Sequence, residues 1–113
     1  MKKESPVEKF PGHVVLPDYM NAPQVRAFED AYFGDPNAER PKKGERVYRT
    51  VQDAEMIPVF ISAVQEWHIE GVPEKPSIET FPMTPQPAAH DLVVWLGREL
   101  YKIYIGEAEI PNE

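Results

Sequence analysis

Apolar positions along the chain fall into one short run and three stretches with helical spacing, separated by proline- and glycine-rich punctuation. The short run lies in "GHVVLPD", where Val14, Val15 and Leu16 sit between Gly12 and Pro17 and read as a brief strand. Val25, Phe28 and Tyr32 then recur one turn apart. Asn21 is placed to cap that helix from Ala22, because Gln24 follows it by three residues and Pro23 is tolerated in a first turn. Gly34 is placed to close it.

A second helix is predicted over about Val51 to Ile69, with Thr50 and Asp53 as start signals. At about 100° per residue, Ala54, Met56, Ile57, Phe60, Ile61, Ala63, Val64 and Trp67 share one broad side, opposite Glu55, Ser62 and Glu66. Pro58 removes a backbone donor, so it should kink this helix or end a preliminary turn, with the regular helix then starting near Ile57. The third helix starts with Thr84 as cap and Pro85 in the first turn and runs to about Ile105 before Gly106. Leu92, Val93, Leu96, Leu100, Ile103 and Tyr104 give it a core stripe.

The stretch "EWHIEG", Glu66 to Gly71, decides whether there is a catalytic constellation. In a strand, Glu66, His68 and Glu70 would line one face. Continuing the second helix instead, His68 falls on the apolar side near Ile57 and Ile61, and Glu66 and Glu70 point roughly 160° or more away. The preceding residues favour the helix. His68 is then explained by the negative end of the helix dipole and the free carbonyls of the last turn.

The third helix carries more apolar surface than one face needs. Val94, Tyr101 and Ile105 widen its arc to roughly 220°, about twice the minimum for a surface helix. Asp91, Trp95, Arg98 and Lys102 form the remaining stripe, with Arg98 one turn from the Trp95 ring. Trp95 reads either as a partly packed, partly exposed tryptophan or as an anchor for a partner, since tryptophan, tyrosine and arginine are enriched at interface hot spots. Trp95, Tyr101, Val94, Ile105 and Arg98 are therefore the expected partner-binding surface, used in a helix-in-groove mode.

Between these elements, residues 1–9 are charged and expected to be loose, as is the acidic tail from residue 107 to 113. Residues 34–46 lack a large apolar side chain and carry Arg40, Lys42, Lys43 and Arg46. With no aromatic stacking partner and with Glu39 and Glu45 interspersed, they read as a solvated loop in preference to a nucleic-acid patch. "RVYRTV", residues 46–51, is offered as a strand to pair with residues 13–16. Residues 71–87 hold five of the thirteen prolines and, fully extended as polyproline, would reach about 50 Å. Val72, Ile78, Phe81 and Met83 should hold this connector against the helices, since burying a phenylalanine is worth about 2 to 3 kcal/mol.

The totals narrow function more than fold. A chain of 113 residues fits one domain with a real core. A net charge of -7 disfavours broad nucleic-acid affinity, which needs lysine and arginine against phosphate. With no cysteine there is no disulfide, thiolate metal site or cysteine nucleophile. "MKKESPVEKF" has no apolar run after its basic start, and no window approaches the roughly 18 apolar residues of a membrane span, so a soluble, unexported protein is expected. There is no phosphate-cradling glycine loop, nucleophile elbow or paired-histidine metal motif. His13, His68 and His90 stand far apart in sequence, and His90–Asp91 has no evident nucleophile among Ser5, Ser62 and Ser77. No catalytic residue, metal ligand or cofactor is assigned.

Three segments, "FPGHVVLPD" at 10–18, "AVQEWHIEGVPEKPSIETFPMTP" at 63–85 and "LVVWLGRELYKIY" at 92–104, span about two-thirds of the chain. In that order they resemble the tail assembly chaperones of long-tailed, siphovirus-like bacteriophages and prophages. The resemblance implies a mainly α, non-enzymatic protein of the host bacterial cytoplasm. It would bind the tape-measure protein, keep it soluble, and assist tail-tube subunits to polymerise around it. It also implies a longer form made by translational frameshifting. The family has no binding motif to carry over residue by residue.

The expected fold is therefore mainly α: three principal helices in one small domain, a proline-rich connector, and room for one short two-stranded β element. The expected function is capture of an amphipathic helical partner without enzymatic activity, with no nucleic acid or membrane partner, and self-association into a homo-oligomer stays open. A structural tail or neck component of the particle is the first alternative. A small hydrolase or metal protein using His68 with Glu66 or Glu70 is the second.

Overall fold

A computed structural model describes residues 1–33 and 53–106. Among these residues the architecture is mixed α/β, with a three-stranded antiparallel sheet beside three helices. The elements are β1 (Lys2–Glu4), β2 (Gly12–Val15), α1 (Ala22–Phe33), α2 (Asp53–Ala63), β3 (Glu66–Ile69) and α3 (Ala88–Tyr104). β2 lies in the middle of the sheet, between β1 and β3. The three expected helices are present, and the expected short two-stranded element is instead a three-stranded sheet, which makes the fold mixed α/β and not mainly α.

The first flank is β1. Residues 1–9, expected to be loose, instead hold the sheet edge: Lys3 pairs with Val14, and the amide of Leu16 donates to the Met1 carbonyl at 2.8 Å. Val7 and Phe10 are buried behind it. Those two apolar side chains give this segment a hold that its charge conceals.

The second flank is β3, which occupies the stretch expected to end a helix. α2 stops at Ala63, and the amide of Gln65 donates to the carbonyl of Val15 at 2.8 Å, so the sheet takes over the backbone that a longer helix would have kept. From there the chain alternates, with Glu66 and His68 exposed and Trp67 and Ile69 buried. The pairing partners for residues 13–16 were expected at 46–51, which lie outside the described residues, as do Gly34, the basic loop 34–46, Thr50 and the tail 107–113.

α1 begins as its sequence dictates. Asn21 Oδ1 accepts from the amide of Gln24 at 2.9 Å, and Gln24 Oε1 accepts from the amide of Asn21 at 3.0 Å, which closes a reciprocal capping box. Gln24 Nε2 also donates to the Ser62 carbonyl at 3.1 Å, joining the start of α1 to the end of α2. Replacing Asn21 by alanine is expected to cost about 1 kcal/mol in chemical denaturation, with the slope of the transition unchanged. A loss below about 0.3 kcal/mol would mean that water caps this end as well as the side chain does.

α2 runs through Pro58 as one helix from Asp53. α3 starts three residues later than expected, at Ala88, with Pro87 in the cap position and no side-chain cap, so Thr84 does not serve as one. It closes as expected at Gly106, whose φ of 79° places it in the left-handed region. The connector is held by Phe81, which meets Trp67 edge-on at 5.7 Å and Phe60 at 6.5 Å, and by buried Val72. Ile78 and Met83, expected to pack with them, are 60% and 44% exposed. Ser77 and Thr80 explain part of this: each hydroxyl accepts from the other's amide, turning the chain outward between the two anchors.

All the buried apolar side chains belong to one cluster, with Val14, Leu16, Phe28, Phe60, Leu92, Leu96 and Leu100 its most completely enclosed large members. One ion pair crosses it. Lys3, on the inner face of the sheet with Val14 and Trp67, brings its Nζ to 3.8 Å from Glu99 Oε2, while Lys102 Nζ donates to Glu99 Oε1 at 3.2 Å. Glu99 is the one buried charged residue among those described, and both its neighbours are lysines.

Candidate functional site

The helix face expected to bind a partner divides into two environments. Val94, Trp95 and Arg98 line one wall of an open cleft of about 590 Å³. Its other walls come from the segment before β2 (Pro6, Val7, Glu8 and Lys9) and from the approach to α3 (Pro85 to Ala88). Asp91 completes the lining, one turn before Trp95. Trp95 and Val94 are half-buried, and Arg98 is exposed.

Tyr101 turns towards α1 instead. Its ring stacks on Tyr32 at 5.2 Å and lies 6.5 Å from Phe28, in an aromatic group that also includes Phe33 and Tyr104. The Tyr104 hydroxyl donates to Glu29 Oε2 at 2.8 Å, which fixes the two helices at that end. Burial pushes the Tyr32 hydroxyl pKa above its usual value, the Tyr101 hydroxyl adds to the rise, and the Arg98 charge opposes it. Ile105, at the end of α3, is 42% exposed and does not line the cleft. Of the five residues, only Val94, Trp95 and Arg98 share a concavity.

The other walls of the cleft were not found from the sequence, because residues 6–9 were read as loose and Pro85 as helical. Their signal is present in "SPVEKFPG", where Val7 and Phe10 stand three apart between prolines. The cleft is chemically mixed. Its prolines and Trp95 offer rigid apolar surface, and Glu8, Asp91, Lys9 and Arg98 place two charges of each sign around it. That combination suits an amphipathic segment with a narrow apolar edge.

A second group forms on the outer face of the sheet. His13 of β2 pairs directly with His68 of β3, and their ring centroids are 4.7 Å apart with the planes tilted by 31°. Glu66 Oε1 lies 3.1 Å from His68 Nε2. The helical reading had set Glu66 far from His68 and left no paired histidines, and both points are corrected by β3: a period of two puts residues 66 and 68 on one face, and the ladder brings His13 to them. Glu70 lies beyond the strand end.

Glu66 and His68 form a hydrogen-bonded acid–base pair on this face. Ser5 Oγ accepts from the amide of Val7, and Ser77 is engaged with Thr80. No set of three or more His, Asp or Glu side chains placed to hold a metal ion occurs among the described residues. No helix among them is long and apolar enough to cross a membrane.

Among the described residues, the small α/β fold carries an open cleft with Trp95 in its lining. Compared with protein families, curated proteins and solved structures, the chain matches none of them.

Proposed function

We propose that this chain is a non-enzymatic binding protein of phage tail assembly, which holds an amphipathic helical segment of the tape-measure protein in the cleft beside Trp95. The observation that carries this reading is the half-buried Trp95, which lines an open cleft together with Val94, Arg98, Pro6, Pro85 and Pro87. Enclosing the exposed part of such a ring against a partner is worth about 1 to 2 kcal/mol by area, and tryptophan anchors commonly exceed that on truncation. The family setting rests on the resemblance of residues 10–18, 63–85 and 92–104 to tail assembly chaperones. On this reading the chain works in the bacterial host cell, assists tail-tube subunits, and leaves before the particle is finished.

Co-expression with the neighbouring gene products tests it. Wild-type chain is expected to retain the tape-measure protein in the soluble fraction and to co-purify with it. Trp95→Ala should reduce the retained amount at least about tenfold while unfolding near the wild-type midpoint. Undiminished retention by Trp95→Ala would remove the cleft from the account. Tyr101→Ala is a poorer probe, because Tyr101 packs against Tyr32 and its removal should lower stability as well.

A second reading draws on different residues. Ile78 and Met83 leave apolar surface on the connector that is not part of the cleft lining, as a subunit permanently built into a tail or neck would. That reading expects the chain in stoichiometric amounts in purified particles, whereas an assembly chaperone is absent from them.

A further inference from the structure

We propose that the outer face of the sheet binds a divalent transition-metal ion through His13 and His68, with water completing the coordination. The proposal is independent of the cleft and of the tail-assembly reading.

The placement is built by the backbone. His13 and His68 are direct cross-strand partners, so their side chains leave the sheet side by side on its solvent face. A metal held by two imidazole nitrogens at about 2.0 to 2.1 Å, at a tetrahedral or square angle, sets the ring centroids roughly 4.5 to 5 Å apart. The observed separation is 4.7 Å. His68 is 46% exposed at its side chain, which gives an ion a path from solvent.

Glu66 prepares one of the two ligands. Its Oε1 is 3.1 Å from His68 Nε2, and this bond favours the tautomer with the proton on Nε2, leaving the Nδ1 lone pair for the metal. A carboxylate behind a ligating histidine fixes its orientation. The face carries further charge: Glu4 pairs with His13 across the other ladder, and Lys2 lies 3.4 Å from Glu4. Two carboxylates to one ammonium favour a cation there.

The ligand set selects the metal. Imidazole suits copper, nickel and zinc over calcium or magnesium, and two imidazoles with water give an exchangeable site whose affinity follows the usual order, with Cu²⁺ tightest. Bound there, the ion would clip β2 to β3, joining the strand before α1 to the strand after α2.

Titration of the full chain with Cu²⁺, Ni²⁺ and Zn²⁺ near neutral pH, with thermal unfolding followed in parallel, tests this. The expected result is one saturable Cu²⁺ per chain, tighter than Ni²⁺ or Zn²⁺, and an unfolding midpoint that rises with Cu²⁺. His13→Ala and His68→Gln should each weaken binding at least about tenfold and abolish the rise, Glu66→Gln should weaken it by about tenfold, and His90→Ala should change neither. No saturable uptake up to about 1 mM, or wild-type affinity in either His13→Ala or His68→Gln, would overturn the proposal. His68 is exposed and His13 is half-buried on the outer face of the sheet, so each replacement is expected to leave the metal-free midpoint within about 1 kcal/mol of wild type, and a variant that still unfolds cooperatively shows that lost binding is not lost folding.

Discussion

Gly12→Ala is expected to remove at least about 3 kcal/mol of stability, the largest loss among the described glycines. Gly12 has a φ of 130°, a conformation open to glycine and strained for every L side chain. It also pairs with Ile69 at the point where β3 passes closest. A Cβ at this position would stand 2.0 Å from the His68 carbonyl oxygen and 2.9 Å from Ile69 Cα, and both are backbone atoms. No rotamer relieves such a clash, so the β2–β3 ladder has to part. Gly97→Ala is the matched control. Gly97 is buried within α3, yet its added methyl would meet nothing nearer than Met56 Cε at 3.8 Å, an ordinary contact. Helix propensity should then make that change neutral or stabilising by up to about 1 kcal/mol. Urea denaturation of the two variants distinguishes them. A Gly12→Ala protein within about 1 kcal/mol of wild type would mean that β3 does not pair with β2 in this register.

Phe28→Ala should cost about 3 to 5 kcal/mol, the largest loss expected from a core truncation on α1. Phe28 is fully enclosed and, with Tyr32 and Phe33, brings α1 into the aromatic group. Its ring stacks on Tyr32 at 5.0 Å and sits 5.2 Å from Tyr104 and 6.5 Å from Tyr101. Truncation therefore forfeits buried area, opens a cavity, and removes ring pairs worth about 0.5 to 1.5 kcal/mol each beyond area. In a domain of this size that corresponds to a fall of the thermal midpoint by more than about 10 °C. Phe28→Leu keeps most of the volume and should lose less than half as much. Equal losses for the two would indicate that ring geometry, not volume, holds α1 to α3.

These two positions also show how far the fold was legible in the sequence. Phe28 was readable, because it repeats at helical spacing with Val25 and Tyr32 behind a capping box that forms as expected. The core stripe of α3, its end at Gly106 and the short strand containing Val14 were readable for similar reasons: each signal is local and each has one period. β3 was not. Its Trp67 and Ile69 fit the apolar arc of α2 as well as they fit an alternating strand, and four residues are too few for periodicity to decide. What decides is the Gln65–Val15 hydrogen bond, which depends on a segment far earlier in the chain. β1 was hidden by its composition, since three charged residues do not resemble a strand until Val14 lies beside them.

The candidate sites inherit the same division. Val94, Trp95 and Arg98 follow from one helix and were found; the proline wall opposite them depends on how two other segments return, and was missed. His13 and His68 become neighbours only once β3 is a strand. Without β3 as a strand, β2 lacks its partner at residues 66–69 and His13 lacks His68, while the helical cleft wall is unaffected.

The claim on which the functional account rests is that the ring of Trp95 is covered by a partner chain. Its direct test is the fluorescence of the purified protein titrated with the tape-measure protein. Trp67 is already enclosed against Phe81 and should report little, so a saturable blue shift is expected to come from Trp95 and to vanish in Trp95→Phe. A complex that forms with no change in the emission of Trp95, or with equal affinity when Trp95 is alanine, would contradict capture at this cleft.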